Sequence, residues 1–296
     1  MAGKRLLIQV LVAVLAATFV SAQAQPGDGG KKGGGGQPVQ PIQRVRPGFY
    51  MIAGAGANSG IRVTTDGVIL VDGKLPGDQN YSNLLEQIKS VTDQPVQYLI
   101  VTHHHQDHSG NNGRFLAAGV QVVGHENLKK NLATYQATPL PGSPNVAYPG
   151  KDYLVRLGGA EARLYHFGRA HTSGDSVVYF PDLKVVCVSD VVTTGATGPL
   201  ADYGGGGSFL EWRQVLDDIL KLDFDTAIPG NGNPLTKANV QAYKAKIDTF
   251  VSRAKEAVGK GVPKDQLMAQ IKTDDLGWTP RVPNVDPFYE ELSKAK

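Results

Sequence analysis

The chain has 296 residues, of which 41% are hydrophobic, and this fraction excludes a wholly disordered protein. The net charge of +3 arises entirely before Arg44, because the rest of the chain carries 26 basic and 26 acidic side chains. A net-neutral body removes the composition argument for nucleic-acid binding. The single cysteine excludes an intrachain disulfide framework and a cysteine-rich zinc module, so histidines and carboxylates would have to hold any metal.

The N-terminal segment predicts export. A basic start from Met1 to Arg5 precedes an apolar run from Leu6 to Val20, and Ala22-Gln23-Ala24 has the pattern of a cleavage site. A membrane anchor is the alternative, but the run is shorter than the roughly 20 residues that a spanning helix needs. We therefore predict a signal peptide over residues 1–24 and a periplasmic or secreted product without stable membrane association after cleavage.

The composition then changes twice along the chain. Residues 25–43 contain seven glycines and three prolines, which predicts a flexible linker because such a segment buries too little apolar surface to order itself. The remaining length of about 250 residues suits one large α/β domain. We place the core of that domain at residues 44–235, with a helical C-terminal extension, 236–296, packed on the same domain.

The first half of the body shows a strand meander followed by alternating helices and strands. Leu84, Leu85 and Ile88 recur at helical spacing, whereas the apolar runs around them are short and bounded by turn residues. The predicted elements are strands Phe49–Ala53, Ile61–Thr64 and Val68–Val71, helix Tyr81–Val91, strand Val96–Val101, helix Phe115–Ala118 and strand Val120–Val123.

The second half repeats this pattern. Ser208 and Glu211 have the spacing of a capping box, which predicts the start of an amphipathic helix, and the chain is helical from Thr236 onward. Strands and helices in two similar halves favour a layered α/β fold. The predicted strands of this half are Tyr153–Leu157, Ala162–Phe167, Ser176–Phe180, Val185–Val188 and Ala227–Ile228.

The most informative segment follows the strand Val96–Val101. Four of the seven histidines lie within the six residues from 103 to 108, which a solvated loop explains poorly. Alternate residues His103 and His105 project the same way and can reach one metal, while Asp107 and His108 can turn toward a second. The other histidines, His104, His125 and His166, are expected to have packing or surface roles.

Two later residues complete the candidate set. His171 lies in a loop between two predicted strands and is the candidate third ligand. Asp190 closes a strand, and carboxylates at the carboxyl ends of strands point into the cleft where α/β enzymes place their sites. A role for Asp190 as a turn former is an equally good interpretation of the local sequence.

Together these residues resemble the metallo-β-lactamase superfamily of binuclear zinc hydrolases. The His-x-His-x-Asp-His signature is matched at residues 103–108, the next histidine at 171 and the bridging aspartate at 190. The resemblance extends from Phe49 to about Pro234 and implies a four-layer αββα sandwich with the metals at one edge. It also implies that Asp72 braces the metal loop and that residues 204–212 form the loop before a helix.

One position departs from the family pattern. Family members close the site with a Pro-Gly-His-Gly turn, and here Asn231 stands in the place of the histidine. An amide oxygen is a weaker zinc ligand than imidazole, so we expect one tight zinc and a second that is weaker or absent. The resemblance implies a first site of His103, His105 and His171 with Asp190 bridging, and a second of Asp107, His108, Asp190 and Asn231.

This ligand set implies hydrolysis. Zinc lowers the pKa of bound water from about 15.7 to about 7, which supplies a hydroxide nucleophile, and Asp107 is the expected catalytic residue that orients it. We therefore predict an exported zinc hydrolase that cleaves an ester, lactone, thioester or β-lactam amide in a small molecule. The alternative is a metal-binding but catalytically silent member, to which the Asn231 departure points.

Substrate choice is not encoded in the metal ligands, because one fold and one metal site serve many substrates. β-Lactamases often carry a lysine shortly after the bridging residue to hold a carboxylate, and Thr193 and Thr194 occupy that neighbourhood here. We predict that both threonines and Tyr203 bind substrate. The oligomeric state stays open.

Overall fold

The computed structural model describes residues 36–194 and 197–295. The predicted signal peptide, 1–24, and the predicted linker up to residue 35 lie outside the described residues. Among the helices that are described, none combines the length and apolar character needed to cross a bilayer.

The first sheet contains seven strands that lie side by side in sequence order. Its first four strands pair antiparallel and its last four pair parallel, so the carboxyl ends of neighbouring parallel strands meet at one edge. The strands are β1 (Gln43–Arg46), β2 (Phe49–Ile52), β3 (Ser59–Val63), β4 (Val68–Val71), β5 (Val96–Ile100), β6 (Gln121–His125) and β7 (Val146–Tyr148). The helices between them are α1 (Asp78–Lys89), α2 (Gln106–Ser109), α3 (Asn112–Ala117) and α4 (Glu126–Leu132).

The second half supplies another sheet and the remaining helices. Its strands are β8 (Asp152–Leu157), β9 (Ala160–Tyr165), β10 (Val177–Phe180), β11 (Val185–Ser189), β12 (Thr197–Leu200), β13 (Thr226–Pro229), β14 (Leu235–Thr236) and β15 (Thr279–Arg281). The helices are α5 (Phe209–Lys221), α6 (Lys237–Gly259), α7 (Leu267–Gln270) and α8 (Val285–Lys294). Six strands form a sheet in the order β14-β13-β11-β10-β9-β8, whereas β12 and β15 form a separate parallel pair.

Three apolar clusters hold these layers together. Side chains such as Met51 and Phe180 fill the space between the two sheets. Leu84 and Phe115 belong to the cluster under α1 and α3, and Trp212 belongs to the cluster under α5, α6 and α8. Burying one such large side chain contributes roughly 1.5–3 kcal/mol. The layers therefore follow one another in the order helices, first sheet, second sheet, helices. This order confirms the αββα sandwich that the sequence predicts.

Several short elements escape the sequence prediction. Helix α1 begins at Asp78 rather than Tyr81, and α4 begins after His125, whose side chain accepts a hydrogen bond from the Asn127 amide. Strands β1, β7, β12, β14 and β15 are also absent from the prediction. They are two to four residues long and show no apolar alternation, so periodicity gives no signal for them.

The start of α5 is predicted correctly, but the capping box is only half formed. Ser208 Oγ accepts a hydrogen bond from the Glu211 amide at 3.0 Å. The Glu211 carboxylate does not return a bond to Ser208, because it accepts from Arg169 Nε at 3.0 Å. The Ser208 amide instead donates to Ala170 O at 2.9 Å, so the loop before α5 is tied to the segment that carries His171.

This topology brings four loops to one edge of the sandwich. Strands β4 and β5 are parallel neighbours in the first sheet, and β11 and β13 are parallel neighbours in the second. The residues that follow these strands therefore meet at their shared carboxyl ends. These residues are Asp72 after β4, the segment 102–110 after β5, Asp190 after β11 and the turn 230–232 after β13.

Candidate metal centre

Three imidazoles converge on one point, and we call them the first histidine group: His103, His105 and His171. His103 Nε2 lies 3.1 Å from His105 Nδ1, and His171 Nε2 lies 2.9 Å from the same atom. Zinc–nitrogen distances of about 2.0–2.1 Å in a tetrahedral site imply ligand separations of roughly 3.3 Å. The spacing of these nitrogens therefore fits one tetrahedral zinc ion.

The hydrogen bonds of these rings fix which nitrogen faces the centre. The second nitrogen of each ring contacts an oxygen atom and carries the proton, so the facing nitrogens present lone pairs. Lone pairs this close repel one another unless a cation lies between them. The oxygen partners are Thr102 Oγ1 for His103 at 3.2 Å, Asp202 Oδ2 for His105 at 2.9 Å and Leu200 O for His171 at 2.6 Å.

A second group, Asp107, His108 and Asp190, lies beside the first. His108 Nε2 is 3.5 Å from Asp107 Oδ2 and 3.5 Å from Asp190 Oδ1. Among the described residues, neither His108 Nε2 nor Asp190 Oδ1 has a hydrogen-bond partner, although both atoms are buried. Buried polar atoms without partners are costly, so this pair fits a second cation.

Asp190 lies between the two groups. Its Oδ1 faces His108, and its Oδ2 is 3.6 Å from His171 Nε2. His103, His108 and Asp190 also bring donor atoms within 4.8 Å of one another. This position is compatible with the bridging role, which stays a prediction.

The electrostatics of the two groups differ. Burial and the neighbouring imidazoles lower the pKa of His103 well below its ordinary value. Burial also lowers the pKa of His108, but the carboxylates of Asp107, Asp72 and Asp190 outweigh it and hold that pKa well above the ordinary value. Burial raises the pKa of Asp190, and the adjacent His108 more than reverses that effect, so the carboxyl stays ionised.

Asp72 braces the metal loop as the resemblance implies. Its Oδ1 accepts from the Thr102 amide at 2.8 Å, and its Oδ2 accepts from His108 Nδ1 at 2.8 Å. The backbone at Asp72 has a φ of 62°, which is a left-handed conformation. This conformation is unfavourable in free energy for any residue other than glycine. The backbone N–H of Asp72 donates a hydrogen bond to Ile100 O at 2.9 Å, which holds this conformation in place.

The turn that carries Asn231 is held by a side chain that the sequence did not reveal. Asn58 Nδ2 donates to Pro229 O at 2.9 Å and to Gly232 O at 2.8 Å. Gly230 lies against Asp190, since a Cβ at this position would stand 1.8 Å from Asp190 Oδ1. The turn therefore borders the second group, and a ligand role for Asn231 stays a prediction.

The three predicted substrate-binding residues all have protein partners for their hydroxyls. Each hydroxyl is at hydrogen-bond distance from another residue of the chain, so the substrate-binding roles stay predictions. The partners are Tyr243 Oη for Thr193 at 3.3 Å, Asn231 O for Thr194 at 2.7 Å and Glu291 Oε2 for Tyr203 at 2.9 Å.

The remaining histidines pack against other side chains. His104 is buried against Tyr135 with its Nε2 3.7 Å from Asp202 Oδ2, and burial lowers its pKa to about 3. His125 and His166 stack with ring centroids 3.9 Å apart. These positions agree with the packing roles expected for all three.

Asp202, like Asn58, is a residue of the site that the sequence analysis did not identify. Its Oδ2 accepts a hydrogen bond from His105 Nε2. Burial raises the pKa of Asp202, but the hydrogen bonds from His105 and the Gly205 amide outweigh burial and hold that pKa below its ordinary value. The available signal is its place two residues before the glycine run 204–207, in the stretch next to the predicted helix start. A ligand histidine also needs an acceptor for its second nitrogen.

Comparison with known proteins agrees with this geometry. The family model described as the metallo-beta-lactamase superfamily matches residues 54–231, and the chain belongs to this family. The family uses zinc, and His103, His105 and His171, together with His108 and Asp190 beside them, are candidates to bind it.

Two relatives and one solved structure illustrate the similarity. The chain is 30% identical to metallo-beta-lactamase IND-1 of Chryseobacterium indologenes over 59% of its own length and 71% of that protein. It is 29% identical to the 2,4-dinitroanisole O-demethylase subunit alpha of a Nocardioides species over 60% of its length, and it spans only 53% of that relative. A metallo-beta-lactamase structure from Pontibacter korlensis superposes with a TM-score of 0.62 at 19% identity, covering 71% of this chain and 99% of that one.

Proposed function

We propose that this protein is an exported zinc-dependent hydrolase that cleaves an ester, lactone, thioester or β-lactam amide in a small molecule. The observation that carries the proposal is the convergence of two donor groups at one edge of the sandwich. In the first group the lone pairs of three histidines face one another, and in the second His108 Nε2 and Asp190 Oδ1 are buried without partners among the described residues.

When bound, zinc supplies Lewis-acid polarisation of the scissile carbonyl and lowers the pKa of coordinated water. The chain supplies the orientation of the reactants. Asp107 is the most exposed carboxylate of the second group, with 35% of its side chain accessible, and it stands 3.5 Å from His108 Nε2. Its carboxylate accepts a hydrogen bond from the attacking water and sets the direction of attack.

Asp107 also handles the proton. Attack on the carbonyl releases a proton from the water, and Asp107 Oδ2 is positioned to take it. The same atom then delivers the proton to the leaving oxygen, sulfur or nitrogen. Asp72 and Asp202 each accept a hydrogen bond from a histidine and fix the orientation of its ring.

A substrate panel on zinc-loaded protein tests this proposal. The panel contains a chromogenic β-lactam, a lactone, a thioester and, because one relative is named an O-demethylase, an aryl methyl ether. We expect turnover of at least one of the first three substrates and its loss in Asp107→Asn, which keeps the shape of the side chain but removes its negative charge. Hydrolysis that is unchanged in Asp107→Asn would contradict the assigned role.

The second candidate is a metal-binding, catalytically silent member of the family. It is favoured by one observation, the amide side chain in the turn that borders Asp190. The same panel separates the two candidates. Protein that binds zinc at the first histidine group and shows no turnover of any substrate would support the silent member.

A further inference from the structure

Two of the three ligand histidines take their orientation from one short segment, 197–208, which contains β12 and the glycine-rich loop after it. Leu200 O accepts the proton of His171 Nδ1 at 2.6 Å. Asp202 Oδ2 accepts the proton of His105 Nε2 at 2.9 Å. Any displacement of this segment therefore moves two acceptors of the first histidine group together.

The chain beyond residue 231 holds this segment at its first end. Strand β12 pairs in parallel with β15, with Leu200 opposite Arg281. The two backbones approach so closely that a Cβ at Gly198 would stand 1.8 Å from Thr279 O. Arg281 Nε adds a hydrogen bond to Gly198 O at 3.3 Å.

Helix α8 holds the other end. The Glu291 side chain, only 15% exposed, accepts a hydrogen bond from Tyr203 Oη at 2.9 Å and a second bond from Ser208 Oγ. Tyr203 directly follows Asp202, and Ser208 is the N-cap of α5. One carboxylate thus bonds to the two residues that flank the glycine run 204–207. Arg169 Nη2, at 3.7 Å, provides the neighbouring positive charge.

We infer that the C-terminal segment 279–294 is a positioning element for the first histidine group, acting through β15 and Glu291 on the segment 197–208. This inference rests on the proposed metal centre. Both contacts come from residues outside the part of the chain that matches the family, 54–231. Oxygen atoms that orient ligand histidines commonly change metal affinity 10- to 100-fold when they are lost.

The first test removes the Glu291 carboxylate and its hydrogen bonds to Tyr203 and Ser208. Full-length protein is titrated with Co²⁺ against a chromogenic chelator, and the visible spectrum of the bound Co²⁺ reports the geometry of its ligands. We expect Glu291→Ala to weaken the first equivalent of Co²⁺ by about 10-fold and to alter its spectrum. Glu291→Gln, which can still bond to Ser208, should restore most of the affinity.

The matched control lies on the same helix. The Glu290 carboxylate bonds to Lys294 Nζ at 2.6 Å on the exposed face of α8. Glu290→Ala should therefore leave both the affinity and the spectrum as in the wild type. If Glu290→Ala loses as much Co²⁺ affinity as Glu291→Ala, the effect comes from the general stability of α8, and the positioning role of Glu291 is overturned.

The second test acts on the strand pair and does not depend on Glu291. Gly198→Ala places a methyl group against Thr279 O and should separate β12 from β15, with a similar loss of Co²⁺ affinity. Gly259→Ala, at the end of α6, has open space around the new Cβ and serves as the control. Thermal unfolding of the metal-free variants checks that each is folded.

The outcomes separate this inference from the proposed function. If the wild type binds no Co²⁺ through its histidines, the metal centre itself is wrong. If the wild type binds Co²⁺ and Asp202→Ala weakens it, but both Glu291→Ala and Gly198→Ala match the wild type, the metal centre stands and the positioning role of the C-terminal segment is overturned.

Discussion

The two donor groups of the site are built on different principles. In the first histidine group every ring has an oxygen partner for its second nitrogen, so the protein fixes each ligand before a metal arrives. In the second group only His108 is fixed in this way, by Asp72, and two carboxylates supply charge instead of geometry. The first group has the geometry of a preformed site for one ion, whereas the second offers a candidate ion mainly negative charge.

Protons compete with metal differently in the two groups. A ligand imidazole must be neutral to bind a metal. Burial and the surrounding imidazoles lower the pKa of His103, so protons compete weakly there. In the metal-free protein the pKa of His108 is well above its ordinary value, because Asp107, Asp72 and Asp190 outweigh the effect of burial. His108 therefore holds a proton at pH values where His103 is already neutral.

The largest expected effect breaks the first group. His105→Ala removes the nitrogen that lies within 3.1 Å of His103 and 2.9 Å of His171, and two imidazoles leave an incomplete tetrahedral site. We expect loss of the tightly bound zinc and of all hydrolytic activity, measured by elemental analysis and the substrate panel. Undiminished zinc content in the variant would defeat the assignment.

A smaller effect follows from breaking one orienting contact. Asp202→Ala leaves all three nitrogens in place but removes the acceptor of the His105 proton, so the ring can rotate or change tautomer. We expect the first zinc to bind 10- to 100-fold more weakly, measured by competition with a chelator. Asp202→Asn keeps an oxygen acceptor and should lose less zinc affinity than Asp202→Ala. Equal zinc affinities in the wild type and both variants would show that His105 needs no partner.

The second group offers the opposite experiment, which is to build up a weak site. Wild-type protein dialysed against a mild chelator should retain close to one zinc ion. Asn231→His supplies the imidazole that the turn lacks and should raise retention to two under the same dialysis, a gain in affinity of about 10- to 100-fold. Two zinc ions in the dialysed wild type would show that Asn231, or another side chain, already completes the site.

The sequence predicts the side chains that meet at this edge of the sandwich better than the residues that hold them in place. His103, His105 and His108 stand in a dense local pattern, and apolar periodicity predicts the strand that precedes them. Asp202 and Asn58 escaped because each acts on a residue that is distant in the chain, His105 and the 229–232 turn, through contacts that only the fold creates. The pairing of β12 with β15 escaped for the same reason, since the two strands are separated by all of α5 and α6.

The smallest expected effect leaves both groups intact and tests the helix beside them. His125 caps α4, and burial, reinforced by the stacked His166, lowers its pKa to about 4 from an ordinary value of 6.5. Between these values the unfolded chain binds the proton more tightly than the folded protein does. The free energy of unfolding should therefore fall as the pH drops from 6.5 to 4.

His125→Asn separates this titration from the cap. Asparagine keeps an acceptor for the Asn127 amide and is among the best N-cap residues, so stability at pH 7 should change little. We expect a shallower loss of stability on acidification than in the wild type, measured by urea unfolding of metal-free protein at pH 7 and pH 4.5. Zinc retention at pH 7 should equal that of the wild type, because His125 belongs to neither donor group. If the free energy of unfolding changes equally with pH in the two proteins, His125 does not titrate with a lowered pKa. If His125→Asn loses zinc at pH 7, α4 supports the metal centre directly.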